Sequence, residues 1–88
     1  MKMKKLLANP DAWTQGKYAR DAYGKEVHVD SPKATCWCLE GAFIKCYPRN
    51  NRKIFKKLVN KIQFIVNWND APERTHQDVI NVLNELDI

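Results

Sequence analysis

Cys36, Cys38 and Cys46 lie within the twelve residues Thr35–Cys46, beside Trp37 and Gly41. Thiols this close in sequence can bridge to each other, share a metal ion or act as a nucleophile. Ser31 as a cap, Pro32 at the first helical position and Pro48 beyond the end predict a helix over 32–47. On such a helix Cys36 and Cys38 point roughly 160° apart, and Cys38 and Cys46 lie about 12 Å apart along the axis. A disulfide needs Cα atoms within about 7 Å, so no internal pair bridges. A single zinc ion cannot gather these thiols from one helix, and the C-x₂₋₄-C spacing is absent. As a nucleophile Cys36 is the best placed, one turn into the helix, with His28 and His76 the only imidazoles in the chain.

Packing accounts for more of this segment than chemistry does. Thr35, Cys38, Leu39, Ala42, Phe43 and Cys46 form one apolar arc of the helix, and Ala34, Trp37, Gly41 and Ile44 a second. A helix apolar on two sides is central, and a buried thiol behaves as a small hydrophobe. Gly41 inside a helix costs about 1 kcal/mol against alanine, so a close neighbour is expected there: the hairpin or the Trp13 loop.

The elements that would position these residues are short. Lys2 to Ala8 reads as a helix stopped at Asn9-Pro10. Residues 17–29 read as a β-hairpin: Asp21 opens a type I turn, Gly24 supplies the left-handed position, and Val27 and Val29 alternate with polar residues. Asn50 or Asn51 caps a helix over 51–65, with Ile54, Phe55, Leu58, Val59 and Ile62 at helical spacing. "WNDAPE" reads as a loop. Thr75 caps a last helix over 75–87, with Asp78 completing a capping box and Val79, Val82, Leu83 and Leu86 as its buried stripe. The expected fold is one small α+β domain, mainly α, with the hairpin packed on the helices.

The 88 residues carry 44% hydrophobic and 28% charged side chains, the balance of a water-soluble globule. No apolar run approaches the roughly 18 residues a membrane span needs. "MKMKKLLANP" lacks the apolar core of an export signal, which implies the cytoplasm and reduced thiols. Net charge is +5, unevenly spread. Gly41 to Asn69 contains no acid but holds Lys45, Arg49, Arg52, Lys53, Lys56, Lys57 and Lys61; the tail beyond is acidic. That pattern suits a face for nucleic acid or an acidic partner, and equally two helices of opposite sign that attract each other.

Three stretches in order, "WTQGKYARDAYG", "ATCWCLEGAF" and "WNDAPERT", carry a pattern. It is W-x-Q-G with A-R-D-x-x-G, then W-C-L-x-G-A, then W-N-D and a closing helix. It resembles a family of small bacterial and bacteriophage domains of unknown function, over most of the chain. The resemblance implies a small, mainly helical fold and a prokaryotic or phage setting, and no activity. It groups Trp13, Gln15, Arg20, Trp37, Trp68, Asn69 and Asp70. These either pack a core in which Gln15, Asn69 and Asp70 satisfy backbone groups and helix ends, or line a tryptophan pocket with polar contacts.

The resulting expectation is a non-catalytic protein-interaction or regulatory module with no cofactor and no metal. A nucleic-acid-binding module using the basic 45–61 face is the alternative, and a thiol enzyme the third reading. A thin core favours extra buried surface from a homodimer, with Tyr47, Phe64, Ile65 and Val66 as candidates.

Overall fold

The computed structural model describes residues 1–47 and 51–88. It is an α+β fold, mainly α. Helix α1 (Met3–Leu6) and a 3₁₀ turn (Pro10–Ala12) lead to strand β1 (Ala19–Arg20), then β2 (Cys36–Trp37) and α2 (Leu39–Cys46). Helices α3 (Arg52–Ile62), α4 (Ile65–Asp70) and α5 (His76–Leu86) complete it. Helix α2 packs on α1 and α4; α3 packs on α4 and α5; α1 closes against α5. The core is Met3, Leu7, Leu39, Leu58, Val79 and Leu83, fully buried, with Phe43, Ile62, Ile65 and Trp37 around them.

The turn after β1 forms as its residues dictate. The Asp21 carboxylate accepts the N–H groups of Tyr23 and Lys25, and Gly24 takes φ +80. Its return arm pairs only through the Arg20–Glu26 bridge. The hairpin expected over 17–29 is therefore shorter, because β1 finds its ladder partner elsewhere. Ala19 pairs with Trp37 and Arg20 with Cys36, antiparallel.

That pairing corrects the helix expected over 32–47, which begins only at Leu39. Ser31 and Pro32 make a turn: Ala34 N–H donates to the Ser31 carbonyl and Lys33 N–H to its hydroxyl. Thr35 N–H and Cys38 N–H then donate to the carbonyls of Arg20 and Tyr18. A ladder with a distant strand overrides the local start signal.

The helix expected over 51–65 is also two helices. Asn51 caps α3, its side chain accepting from Ile54 N–H, and the chain breaks at Gln63 with φ 63. A non-glycine residue there is strained. The break re-aims α4, so Trp68, Asn69 and Asp70 form its last turn rather than a loop. Helix α5 starts as its residues dictate, with both bonds of the Thr75–Asp78 capping box made. Pro48, Arg49 and Asn50 lie outside the described residues, so the helix stop at Pro48, the Asn50 cap and the Arg49 contact do too.

Candidate functional site

Of the motif residues, Trp13, Gln15 and Asp70 meet at Asn69, the one buried polar side chain among the described residues. Its Oδ1 accepts from Trp13 Nε1 at 2.7 Å and from Leu39 N–H at 3.1 Å. Its Nδ2 donates to the Thr14 carbonyl at 3.1 Å and to Asp70 Oδ1 at 2.9 Å. Gln15 Nε2 donates to the carbonyls of Asn69 and Ala71, closing the end of α4. Gly16 N–H donates to Asp70 Oδ1. One asparagine thus joins the Trp13 loop, the start of α2 and the end of α4.

Arg20 braces the same loop. Its guanidinium donates to Thr14 Oγ1 and to the carbonyls of Gln15 and Gly24. Trp37 is buried, its Nε1 donating to the Val29 carbonyl. Trp68 is half-buried under Arg74, whose guanidinium carbon sits 3.9 Å from the ring centroid while its Nε donates to the Trp68 carbonyl. Thr14 and Arg74 were not singled out by sequence reasoning. Thr14 acts through its hydroxyl and its carbonyl, and Arg74 through the Trp68 carbonyl and ring, and the spacing of residues does not mark those partners. From the seven grouped residues, Asp70 lines a hollow of about 230 Å³, with Gly16, Lys17, Tyr18, Glu26, Cys38 and Val66.

The thiols are dispersed and free. Cys36 lies on β2, not one turn into a helix, and its Sγ faces the Arg20 carbonyl at 3.9 Å. Cys38 is the residue at the helix start, its Sγ accepting from Gly41 N–H at 3.3 Å. Burial pushes the Cys38 thiol up from its ordinary pKa; the Gly41 N–H offsets part of this, and the Asp70 and Glu40 charges add to it. Burial raises Cys46 as well. His28 is exposed, its Nδ1 accepting from Asp30 N–H. His76 is half-buried rather than exposed: its Nε2 donates to the Leu7 carbonyl at 2.6 Å, with the ring beside Trp13. Among the described residues no group of His, Cys, Asp and Glu could hold a metal ion.

The basic residues divide. Lys61 pairs with Glu85 of α5 at 2.7 Å, and Lys45 with Asp30 at 3.6 Å. Opposite-signed helices do meet, at Lys61. Arg52, Lys53, Lys56 and Lys57 are exposed on α3.

An apolar face opens beside them. Phe55, expected in the buried stripe of α3, is 43% exposed, and Phe64 and Val66 are 71% and 39% exposed. Tyr18 and Ile44 continue this face: Tyr18, Glu40, Phe43, Ile44 and Phe55 line one hollow of about 410 Å³. Glu40, Phe55, Val59, Phe64 and Val66 line its neighbour. Of the expected dimer surface, Ile65 is buried and Tyr47 is half-buried against Phe43. The break at Gln63 turns Ile65 inward. The available signal was the width of the α3 stripe: Phe55 and Val59 lie at its edge, beyond what Leu58 and Ile62 bury.

Among the described residues, no helix is long and apolar enough to cross a membrane. The model of a family described as "Family of unknown function (DUF6197)" matches residues 1–86, and the chain belongs to that family. No curated protein and no solved structure matches the chain.

Proposed function

We propose that this member of a family of unknown function is a non-catalytic protein-interaction module. Its docking face is the groove between α2, α3 and α4. The observation that carries this reading is the exposure of Phe55, Phe64 and Val66 side by side, continuous with Tyr18 and Ile44. Scattered apolar residues on a surface are ordinary; contiguous ones rimmed by charge mark places where another molecule packs. The motif residues support the reading from the other side. Their polar groups bond within the chain and tie the Trp13 loop to α2 and α4, two of the three helices that form that face. The bacterial or phage setting implied by the motifs belongs to this reading. So does a cytoplasmic location, which three free thiols suit.

A photo-reactive amino acid in place of Phe64 tests it in cells producing the full chain, with the same group in place of the fully exposed Tyr23 as control. Discrete protein adducts from position 64 and none from 23 support the reading. Equal, diffuse labelling from both overturns it.

A second reading, nucleic-acid binding, has its own observation. Arg52 and Lys53 sit in the first turn of α3, with no acid there. Cations at a helix N-terminus oppose its dipole at a cost of about 0.3–1 kcal/mol. Exposed Lys56 and Lys57 extend that charge. A salt titration of binding to duplex and single-stranded DNA tests it; no binding at low salt ends it.

A further inference from the structure

The apolar face has two walls of unlike charge. The α2 wall offers Glu40, half-buried in the groove. The α3 wall offers Phe55 and Val59, with exposed Arg52 and Lys56 on the adjoining stripe, one turn apart. Phe64 stands out at the end of the groove, just after the strained Gln63.

From this pattern we infer that the occupant of the groove is a second copy of the same chain. The two copies would be related by a two-fold axis lying along the groove between α2 and α3. This names the partner within the interaction-module reading and rests on it. Such an axis lays the α2 wall of one copy on the α3 wall of the other, and the reverse. Glu40 then meets Arg52 and Lys56 of the other copy, once on each side of the axis. Phe55 of each copy then packs on the α2 wall of the other, and the two Phe64 side chains meet at one end of the groove, as aromatic anchors of the kind that carry most binding energy. A uniformly acidic partner would be repelled by Glu40, and a uniformly basic one by Arg52 and Lys56. Mixed walls are complementary to themselves. A standard interface takes about 800 Å² from each partner, and the chain exposes 5586 Å² in all. The face spans three helices, from Ile44 on α2 across Phe55 on α3 to Val66 on α4.

Sedimentation of the full chain over a wide concentration range tests this, with circular dichroism confirming that each variant folds. The wild type is expected to be a dimer that dissociates on dilution. Phe64→Asp, at a solvent-exposed position, is expected to be a folded monomer. Glu40→Lys alone, and Arg52→Glu with Lys56→Glu alone, should each weaken self-association at least about tenfold. Mixing those two variants should restore dimers, because each then meets opposite charge on both walls. A wild type that stays monomeric at the highest concentration overturns the inference. So does a dimer indifferent to Phe64→Asp, or a mixture that does not reassociate. If the chain is monomeric while position 64 cross-links a different protein, the second copy is excluded and the interaction-module reading stands.

Discussion

Trp13 Nε1 and Asn69 Oδ1 lie 2.7 Å apart although 56 positions separate them in the chain. The same oxygen accepts the Leu39 N–H that opens α2. Loop, helix start and helix end are therefore registered by one buried acceptor. A buried amide of this kind is costly unless every group on it is paired, and here each is.

Asn69→Ala is expected to be among the most damaging substitutions in the chain. It strips the acceptor from two donors and the donor from the Thr14 carbonyl. Each orphaned buried group costs about 1–3 kcal/mol, against a total stability of about 4–13 kcal/mol for a chain this long. Urea unfolding measures the loss. In a cycle with Trp13→Phe, the two sites should couple by about 0.5–3 kcal/mol. Additive effects would mean that the two side chains do not share the bond.

Gly41→Ala should destabilise strongly despite alanine's better helix propensity. A Cβ at Gly41 would meet the Tyr18 carbonyl oxygen at 2.0 Å. That oxygen is fixed because it also accepts Cys38 N–H at 3.2 Å. The propensity gain of about 1 kcal/mol does not offset overpacking, which costs about 1–3 kcal/mol and more where the neighbour is backbone that cannot move aside. Gly24→Ala is the control: nothing stands within 4 Å, and the strain comes only from φ +80. Thermal melts should rank Gly41→Ala well below Gly24→Ala.

Asp87 links the chain's two ends. Its carboxylate accepts from the ammonium groups of Lys2 at 2.7 Å and Lys4 at 2.5 Å, which lower its pKa from 3.8 to about 2. A folded pKa below the unfolded one stabilises the fold above the unfolded value and stops doing so as pH falls through the folded value. Melting temperatures of wild type and Asp87→Asn should therefore differ most above pH 4 and converge only as pH falls through and below about 2. Asparagine tolerates the φ of 53 at this position, so the variant isolates the charge. A difference that stays constant across that window would show that the ion pairs contribute nothing.

Thiol labelling should be slow in the native state. Burial raises Cys38 and Cys46, so both hold less thiolate at pH 8 than a free cysteine does. Peptide mapping after brief exposure to a disulfide reagent should show each slower than free cysteine, the buried Cys38 most so, and both fast in urea. Cys38 labelling at the free-cysteine rate would make it, rather than Cys36, the candidate nucleophile, since it sits at a helix start.

What was legible in the sequence was local. The Asp21–Gly24 turn, the Thr75 capping box, the Asn51 cap and the stripe of α5 each depend on partners within four residues. Gly41 was legible as a close approach, and its neighbour is the backbone of Tyr18 just before β1. Pro32 carries a genuine helix-start signal, yet α2 starts only at Leu39. The competing ladder to Ala19 and Arg20 comes from residues about sixteen positions away.

A small, mainly helical fold with its caps, turns and amphipathic stripes is written in residue order, because those follow from side-chain type within one turn of chain. Three features came from long-range packing. Cys36 and Trp37 became a strand, Asn69 became the shared acceptor, and Phe55 stayed in solvent while Ile65 went inside. Each turns on which distant backbone group or apolar surface is free to be covered. Only the packed chain settles that competition.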